Sequence, residues 1–148
     1  MIITSPSFND GESIPKKFTC DGGNINPELL IQNVPAEAKS LALIMHDPDA
    51  PREGGFLHWT VWNIDPGTTV IKEESTPPES IEGSNGANKI AYAGPCPPPG
   101  APHHYHFYLY ALDTVLDLPD GASEAALRKE MEGHTIATAE LIGLYGRE

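Results

Sequence analysis

The stretch SLALIMHDPDAPREGGFLHWTVWNI, residues 40–64, contains two predicted strands and the turn that joins them. Residues 40–45 form an apolar run typical of a buried central strand, and residues 58–64 are rich in the β-branched and aromatic side chains that favour strands. Between them, Pro48 and Pro51 fix backbone φ angles, so the turn is predicted to be stiff. The stretch therefore favours a β-sheet with a pre-shaped loop beside it.

The rest of the chain is also predicted to be mostly β. Fifteen prolines and fourteen glycines divide the 148 residues into short pieces, which disfavours long helices and favours strands joined by irregular loops. A third strand is predicted from His104 to Leu112. Residues 135–142 favour a strand over a second helix, because a glycine precedes them and β-branched residues occur among them.

One short helix is predicted over residues 124–132. Ser123 can cap its N-terminus, and Gly133 can end it. Leu127 and Met131 are four residues apart and are expected to face the core.

The length and composition indicate one soluble domain over residues 1–148, with a single core. Residues 68–88 have little apolar periodicity and are predicted to form a long surface loop, which is often a functional feature. No apolar run approaches the roughly 18 residues that a membrane span requires. Residues 1–6 do not resemble a secretion signal, so a cytoplasmic location is expected.

The net charge and the two cysteines limit which partners, disulfides and metal sites are expected. A formal net charge of -12 disfavours nucleic acid as a partner, because it repels phosphate backbones. Cys20 and Cys96 are too few for a disulfide framework and match no metal-binding spacing. Both are expected to be free thiols, with a single bridge between them as the alternative.

Two segments predict a pocket centred on histidine. The first runs from Asp47 to Pro51 and is followed by His58-Trp59, and the second runs from Gly94 to Gly100 and is followed by His103-His104-Tyr105. Each places backbone stiffened by proline and glycine next to histidine and aromatic side chains, which forms a cleft at low entropic cost.

Within this pocket, Asp47 or Asp49 is predicted to fix the tautomer of His58, which would donate a hydrogen bond to an anion. The alternatives are an ordinary Asx turn and a core histidine. Strand alternation places His103 and Tyr105 on one face, where both can donate to phosphate or carboxylate oxygens.

The same alternation places His104 and His106 on the opposite face, where they could instead chelate a metal, although no further ligand is evident. Cys96 lies between two prolines, where few backbone amides could stabilise a thiolate. No nucleophile elbow, phosphate loop or dinucleotide fingerprint is present. We therefore predict no catalytic residue, no metal site and no cofactor.

The two pocket segments resemble those of the phosphatidylethanolamine-binding protein family, in particular its bacterial and archaeal branch described as Raf kinase inhibitor-like. The resemblance spans nearly the whole chain and includes residues 18–27, 109–113 and 140–147. It implies an antiparallel β-sandwich with one or two short helices and a small anion-binding cavity. The family positions that correspond to the pocket are Asp47, Pro48, Asp49, His58, Trp59, Gly94, Pro95, His103 and Tyr105.

Three residues depart from the family pattern. His104 stands where the family usually has Arg, Asn26 where Ser usually precedes Pro27, and Ala91 where Gly usually precedes Tyr92. The first departure removes a permanent cation. Since His104 is predicted to point away from His103, we expect the anion pocket to survive and an ion pair behind it to be weakened or lost.

The leading functional hypothesis is a non-enzymatic, regulatory domain that binds a small phosphate-like or carboxylate anion, as the resemblance implies. A second hypothesis is a protein-interaction module that inhibits a serine protease or regulates a kinase, through residues 68–88 and the pocket rim. A third is a weak hydrolase that uses Asp47 or Asp49 with His58 to activate water. A homodimer is expected in each case.

Overall fold

The computed structural model describes all 148 residues. It contains eight β-strands, one α-helix and a 3-10 turn at Lys16–Phe18. In chain order the strands and the helix are β1 Ile2–Thr4, β2 Leu29–Gln32, β3 Ser40–Asp47, β4 Phe56–Ile64, β5 Val70–Ile71, β6 Ile81–Glu82, β7 His103–Leu112, α1 Glu124–Met131 and β8 Thr135–Tyr145. None of the helices has the length and apolar character that crossing a membrane requires.

The strands form two antiparallel sheets. The smaller sheet has the order β1-β2-β5, and the larger has the order β6-β4-β3-β7-β8. The apolar strand β3 lies at the centre of the larger sheet and pairs with β4 on one side and β7 on the other. The prediction of a mostly β, antiparallel sandwich is therefore confirmed.

The larger sheet is covered on both faces, which explains why residues 41–45 of β3 are all apolar. Leu41, Leu43 and Met45 face the main core of 19 buried residues between the two sheets. Ala42 and Ile44 face a second cluster of eight buried residues beneath α1. A strand that is buried on both faces appears as a continuous apolar run instead of an alternating one.

The predicted helix is confirmed, with small differences at its end. α1 begins after Ser123, whose hydroxyl accepts a hydrogen bond from the Ala126 N–H at 3.1 Å. Leu127 and Met131 are buried as predicted. The C-cap is Glu132, one residue before Gly133.

The prediction of a continuous surface loop over residues 68–88 is wrong. β5 extends the smaller sheet by pairing with β2, and β6 forms an edge of the larger sheet by pairing with β4. Each of these strands has two residues, which is too short for a hydrophobic period to be recognised. The segment therefore crosses between the sheets and contributes to both of them.

The expectation of two free thiols is also wrong, and the alternative is correct. Cys20 and Cys96 form a disulfide across 76 positions of sequence, with their Cα atoms 5.4 Å apart. The pairing was not recognisable because the two loops that carry the cysteines meet only in the folded chain. Since disulfides persist mainly in oxidising compartments, this bridge counts against the cytoplasmic location, which stays a prediction.

Candidate ligand-binding cavity

A cavity of about 620 Å³ lies where three strand ends of the larger sheet meet. Because β3 is antiparallel to both neighbours, its C-terminal residue Asp47 lies beside the starts of β4 and β7. These strand ends bring Asp47, His58, His103 and Tyr105 into the cavity wall. The two pocket segments predicted from the sequence therefore do converge.

Asp47 and His103 form a buried hydrogen-bonded pair at the base of the cavity. Nδ1 of His103 donates to Asp47 Oδ2 at 2.7 Å, and Asp47 Oδ1 accepts the Asp49 N–H at 2.8 Å. The Asp47 side chain is only 4% exposed. Both carboxylate oxygens are therefore satisfied by the protein, and the Nε2 edge of His103 is the polar group left to face the cavity.

His58 reaches the cavity because β4 contains a bulge. Trp59 pairs with Met45 and Leu57 pairs with His46, so His58 is an extra residue in the ladder. Bulges re-aim side chains in this way. The prediction that Asp47 or Asp49 fixes the tautomer of His58 is wrong, because its Nδ1 donates instead to the Ala93 carbonyl at 2.6 Å. Burial lowers the pKa of His58 below its ordinary value of 6.5, so the ring is neutral at pH 7.

Tyr105 supplies a polar group that no protein atom satisfies. Its residue is fully buried, its ring lines the cavity, and its hydroxyl has no hydrogen-bond partner. Burial, together with the nearby Asp47 carboxylate, raises the pKa of this phenol, so it keeps its proton. An unpaired hydroxyl costs free energy in the folded state, and a ligand oxygen that accepts a hydrogen bond from it would remove this cost.

The opposite wall is made by two cross-linked loops. The disulfide between Cys20 and Cys96 lines the cavity together with Asn24, Gly94 and two prolines. The Gly94 N–H donates to Asn24 Oδ1 at 2.7 Å. A Cβ on Gly94 would collide with Phe18 O and with that same amide oxygen, so only glycine allows the loops to approach this closely.

Four predicted site residues do not line the cavity. Pro48 is exposed, and Asp49 lies outside, where it accepts hydrogen bonds from both the N–H and Nδ1 of His104. Trp59 is buried in the main core and donates from Nε1 to Glu82 at 2.8 Å. Pro95 is buried, and its carbonyl accepts the Cys20 N–H. These four residues position the wall instead of forming its surface.

The exposed pair of Asp49 and His104 shows what His104 does at the position where the family usually has Arg. The hydrogen bonds from His104 lower the pKa of the Asp49 carboxyl. His104 therefore points away from the cavity, as predicted, and still forms an ion pair there when it is protonated. His106 donates to a different carboxylate, that of Glu140, at 3.0 Å. No three His, Cys, Asp or Glu side chains form a group that could hold a metal ion.

The cavity residues that were missed from the sequence include Arg52, Phe56 and Arg147. Arg52 and Phe56 lie between the two halves of the first pocket segment, where their side chains form a cation–π contact at 5.2 Å. Arg147 comes from the C-terminal end and pairs with Asp21 at 3.1 Å. The signal for Arg52 was its position directly after Pro51, whereas only the tertiary fold brings Arg147 here.

Comparison with known proteins agrees with this architecture. The family described as "Phosphatidylethanolamine-binding protein" matches residues 4–146. A UPF0098 protein of Methanothermobacter thermautotrophicus is 49% identical over 152 residues, with 99% of both chains covered. The crystal structure of a phosphatidylethanolamine-binding protein homologue from Chlamydia trachomatis has a TM-score of 0.94 and 45% identity, covering 99% of this chain and 97% of the other. Escherichia coli YbcL, described as a member of the mammalian family, has a TM-score of 0.92 and 33% identity, with coverages of 99% and 98%.

Proposed function

Because this chain belongs to the phosphatidylethanolamine-binding protein family, we propose that its cavity binds a small phosphate-type anion together with a proton. The observation that carries this proposal is the set of unsatisfied polar groups in the cavity wall. The Tyr105 hydroxyl has no partner, and both histidines use Nδ1 for a protein contact. The remaining polar edges, Nε2 of His58 and Nε2 of His103, are free to contact a ligand.

The tautomers of the two histidines determine which form of anion fits. A neutral imidazole that donates from Nδ1 has only a lone pair at Nε2, so it accepts a hydrogen bond and repels a bare anion. When His103 is protonated it also donates from Nε2, while its Nδ1 stays hydrogen-bonded to Asp47. His58 stays neutral, and its Nε2 can accept a hydrogen bond from the P–OH group of a hydrogen phosphate. Affinity should therefore be higher when His103 is protonated than when it is neutral.

We further propose that the domain acts by binding and not by turnover. The cavity lining contains no serine or threonine, and both of its cysteines are joined in the disulfide. The base that a hydrolase would need is also occupied, since Asp47 holds His103 and not a water-activating His58. A panel of esters and phosphoesters, with and without divalent metals, tests this point, and turnover that is lost in His58→Ala would refute it.

The experiment for anion binding is an NMR titration of the histidine side chains with inorganic phosphate and ethyl phosphate. We expect shifts at His58 and His103 that disappear in His103→Ala and persist in the matched exterior variant His104→Ala. Calorimetry in two buffers of different ionisation enthalpy should show proton uptake on binding. Absence of shifts at millimolar ligand would refute the anion site, and binding without proton exchange would refute the protonation step.

The protein-interaction hypothesis has less support in this fold. Part of the segment proposed to contact a protease or kinase is paired in β5 and β6, so it is less available than a free loop. A carboxylate ligand, a homodimer and a regulatory role stay predictions. Sedimentation velocity measures the dimer directly.

A further inference from the structure

Two arginines lie at the mouth of the cavity, and only one of them is paired with a carboxylate. The Arg147 guanidinium is partly neutralised by Asp21 at 3.1 Å, and it also lies 3.9 Å from Cys96 Sγ. Arg52 forms no ion pair and stacks on the Phe56 ring, 5.2 Å from its centroid. The cavity therefore has one uncompensated, permanently charged cation at its rim, because an arginine does not deprotonate in proteins.

The groups at the base of the cavity differ from those at the rim in burial and in charge. Asp47, His58 and Tyr105 are buried there, whereas Arg52 is exposed at the opening. Asp47 is the only carboxylate in the lining, and both of its oxygens already accept hydrogen bonds. The lining therefore has no free carboxylate that could pair with a ligand ammonium group.

The size of the cavity indicates that the ligand reaches from the base to the rim. A volume of about 620 Å³ lies within the range of about 300–1,000 Å³ found for sites that bind whole organic ligands. A single phosphate at the base would leave most of this space unfilled. The walls in between are apolar and are formed by Pro51, Phe56, Pro97 and Pro98.

We infer that the rim is a second anion subsite, and that Arg52 selects ligands whose phosphate is accompanied by another acidic group. The ligand class is a small phosphate monoester that also carries a carboxylate a few bonds away. An ammonium group at that place is disfavoured, because it would approach an unpaired cation with no carboxylate to receive it. This inference rests on the proposed function, since it assumes that the phosphate occupies the base.

The test uses three probes that share a phosphate and differ in the group at the other end. Ethyl phosphate has a neutral end, O-phosphoethanolamine has an ammonium group, and O-phosphoserine adds a carboxylate to that amine. At low ionic strength we expect O-phosphoserine to bind about fivefold more tightly than O-phosphoethanolamine, which is the effect of one solvent-facing ion pair. The preference should decrease as salt is added.

Arg52→Gln should abolish this preference and should lower the affinity for O-phosphoserine more than the affinity for ethyl phosphate. Lys129→Gln is the matched control, because it also removes one positive charge but lies on α1 beyond the opposite face of the sheet. The control should keep the preference of the native chain. Retention of the preference in Arg52→Gln would overturn the assignment to Arg52.

The outcomes separate the two proposals. If ethyl phosphate binds and the other two probes bind equally, or O-phosphoethanolamine binds most tightly, the rim subsite is refuted and the anion site stands. If none of the three probes binds the native chain, the anion site itself is refuted, and the rim subsite with it. Loss of all three in His103→Ala, together with a changed preference in Arg52→Gln, supports both proposals.

Discussion

Two aspartate–histidine pairs join the end of β3 and its following turn to the start of β7, and they differ mainly in burial. His103 Nδ1 donates to Asp47 and His104 Nδ1 donates to Asp49, each at 2.7 Å. The side chains of the inner pair are 12% and 4% exposed, whereas those of the outer pair are 54% and 41% exposed. Equal distances therefore do not imply equal energies, because solvent screens the outer pair and not the inner one.

The difference follows from strand geometry. Successive residues of β7 point to opposite faces, so His103 faces the cavity and His104 faces solvent. Asp47 is the last residue of β3, whereas Asp49 lies in the following turn, so it does not follow that alternation and can pair with His104 on the solvent side. The same kind of pair thus lies on the solvent side of the sheet and inside the cavity.

We expect the largest effect from removing the disulfide in the cavity wall, because that wall encloses the inner pair and not the outer one. Cys20→Ser combined with Cys96→Ser opens a loop of 76 residues, and we expect a loss of about 4 kcal/mol in the free energy of unfolding. Urea denaturation measures this loss, with the oxidised and the reduced native chain as controls. The NMR signals of His103 should shift and those of His104 should not. A loss below about 1 kcal/mol would mean that the loops hold together without the bridge.

The next effect compares the two carboxylates directly. Asp47→Ala should cost about 3 kcal/mol, because it leaves His103 Nδ1 and the Asp49 N–H without their buried acceptor. Asp49→Ala should cost less than about 1 kcal/mol, since its partner is exposed. Urea denaturation of both variants at pH 7 measures the difference. Similar losses would show that burial does not distinguish the two pairs.

A smaller effect is the pH dependence of the free energy of unfolding, which should differ between His58 in the cavity and Asp49 outside it. The pKa of His58 is lowered by burial, so the unfolded chain takes up a proton that the folded chain does not. Stability should therefore fall as the pH drops below about 6.5, until the folded-state pKa is reached. The pKa of Asp49 is lowered by its hydrogen bonds from His104, so its contribution is present above the unfolded-state value of about 3.9 and is lost only at more acidic pH.

Urea denaturation between pH 7 and pH 3 checks this separation. His58→Asn keeps an N–H for the Ala93 carbonyl and should remove the loss that begins near pH 6.5. His104→Ala should change only the more acidic region. If His58→Asn retains the full loss near pH 6, the inner histidine does not cause it.

Alternation along a strand was enough to predict which side each residue of β7 faces. His103 and Tyr105 were assigned to one face and His104 to the other, because the period of two depends only on local geometry. The pairing partners could not be predicted in this way. Asp47 and His103 are 56 positions apart, and only the register of β3 against β7 brings them together.

Other features of the site depend on tertiary structure in the same way. The bulge at His58 is a register shift between two strands, and it leaves no mark in the local sequence. Arg147 and the Cys20–Cys96 bridge depend on loops that meet after folding. The expectation of free thiols therefore failed at the cavity wall.

The smallest expected effect comes from restoring the family's usual arginine on the outer side. His104→Arg places a permanent cation beside Asp49, and this exposed pair should change the free energy of unfolding by less than about 0.5 kcal/mol. Because the side chain lies outside the cavity, the affinity for ethyl phosphate should stay within about twofold of the native value. Calorimetry and urea denaturation measure the two quantities. A change in affinity above fivefold would mean that the outer pair acts on the cavity through Asp49 and the backbone of its turn, and the two pairs would then have to be treated as one coupled unit.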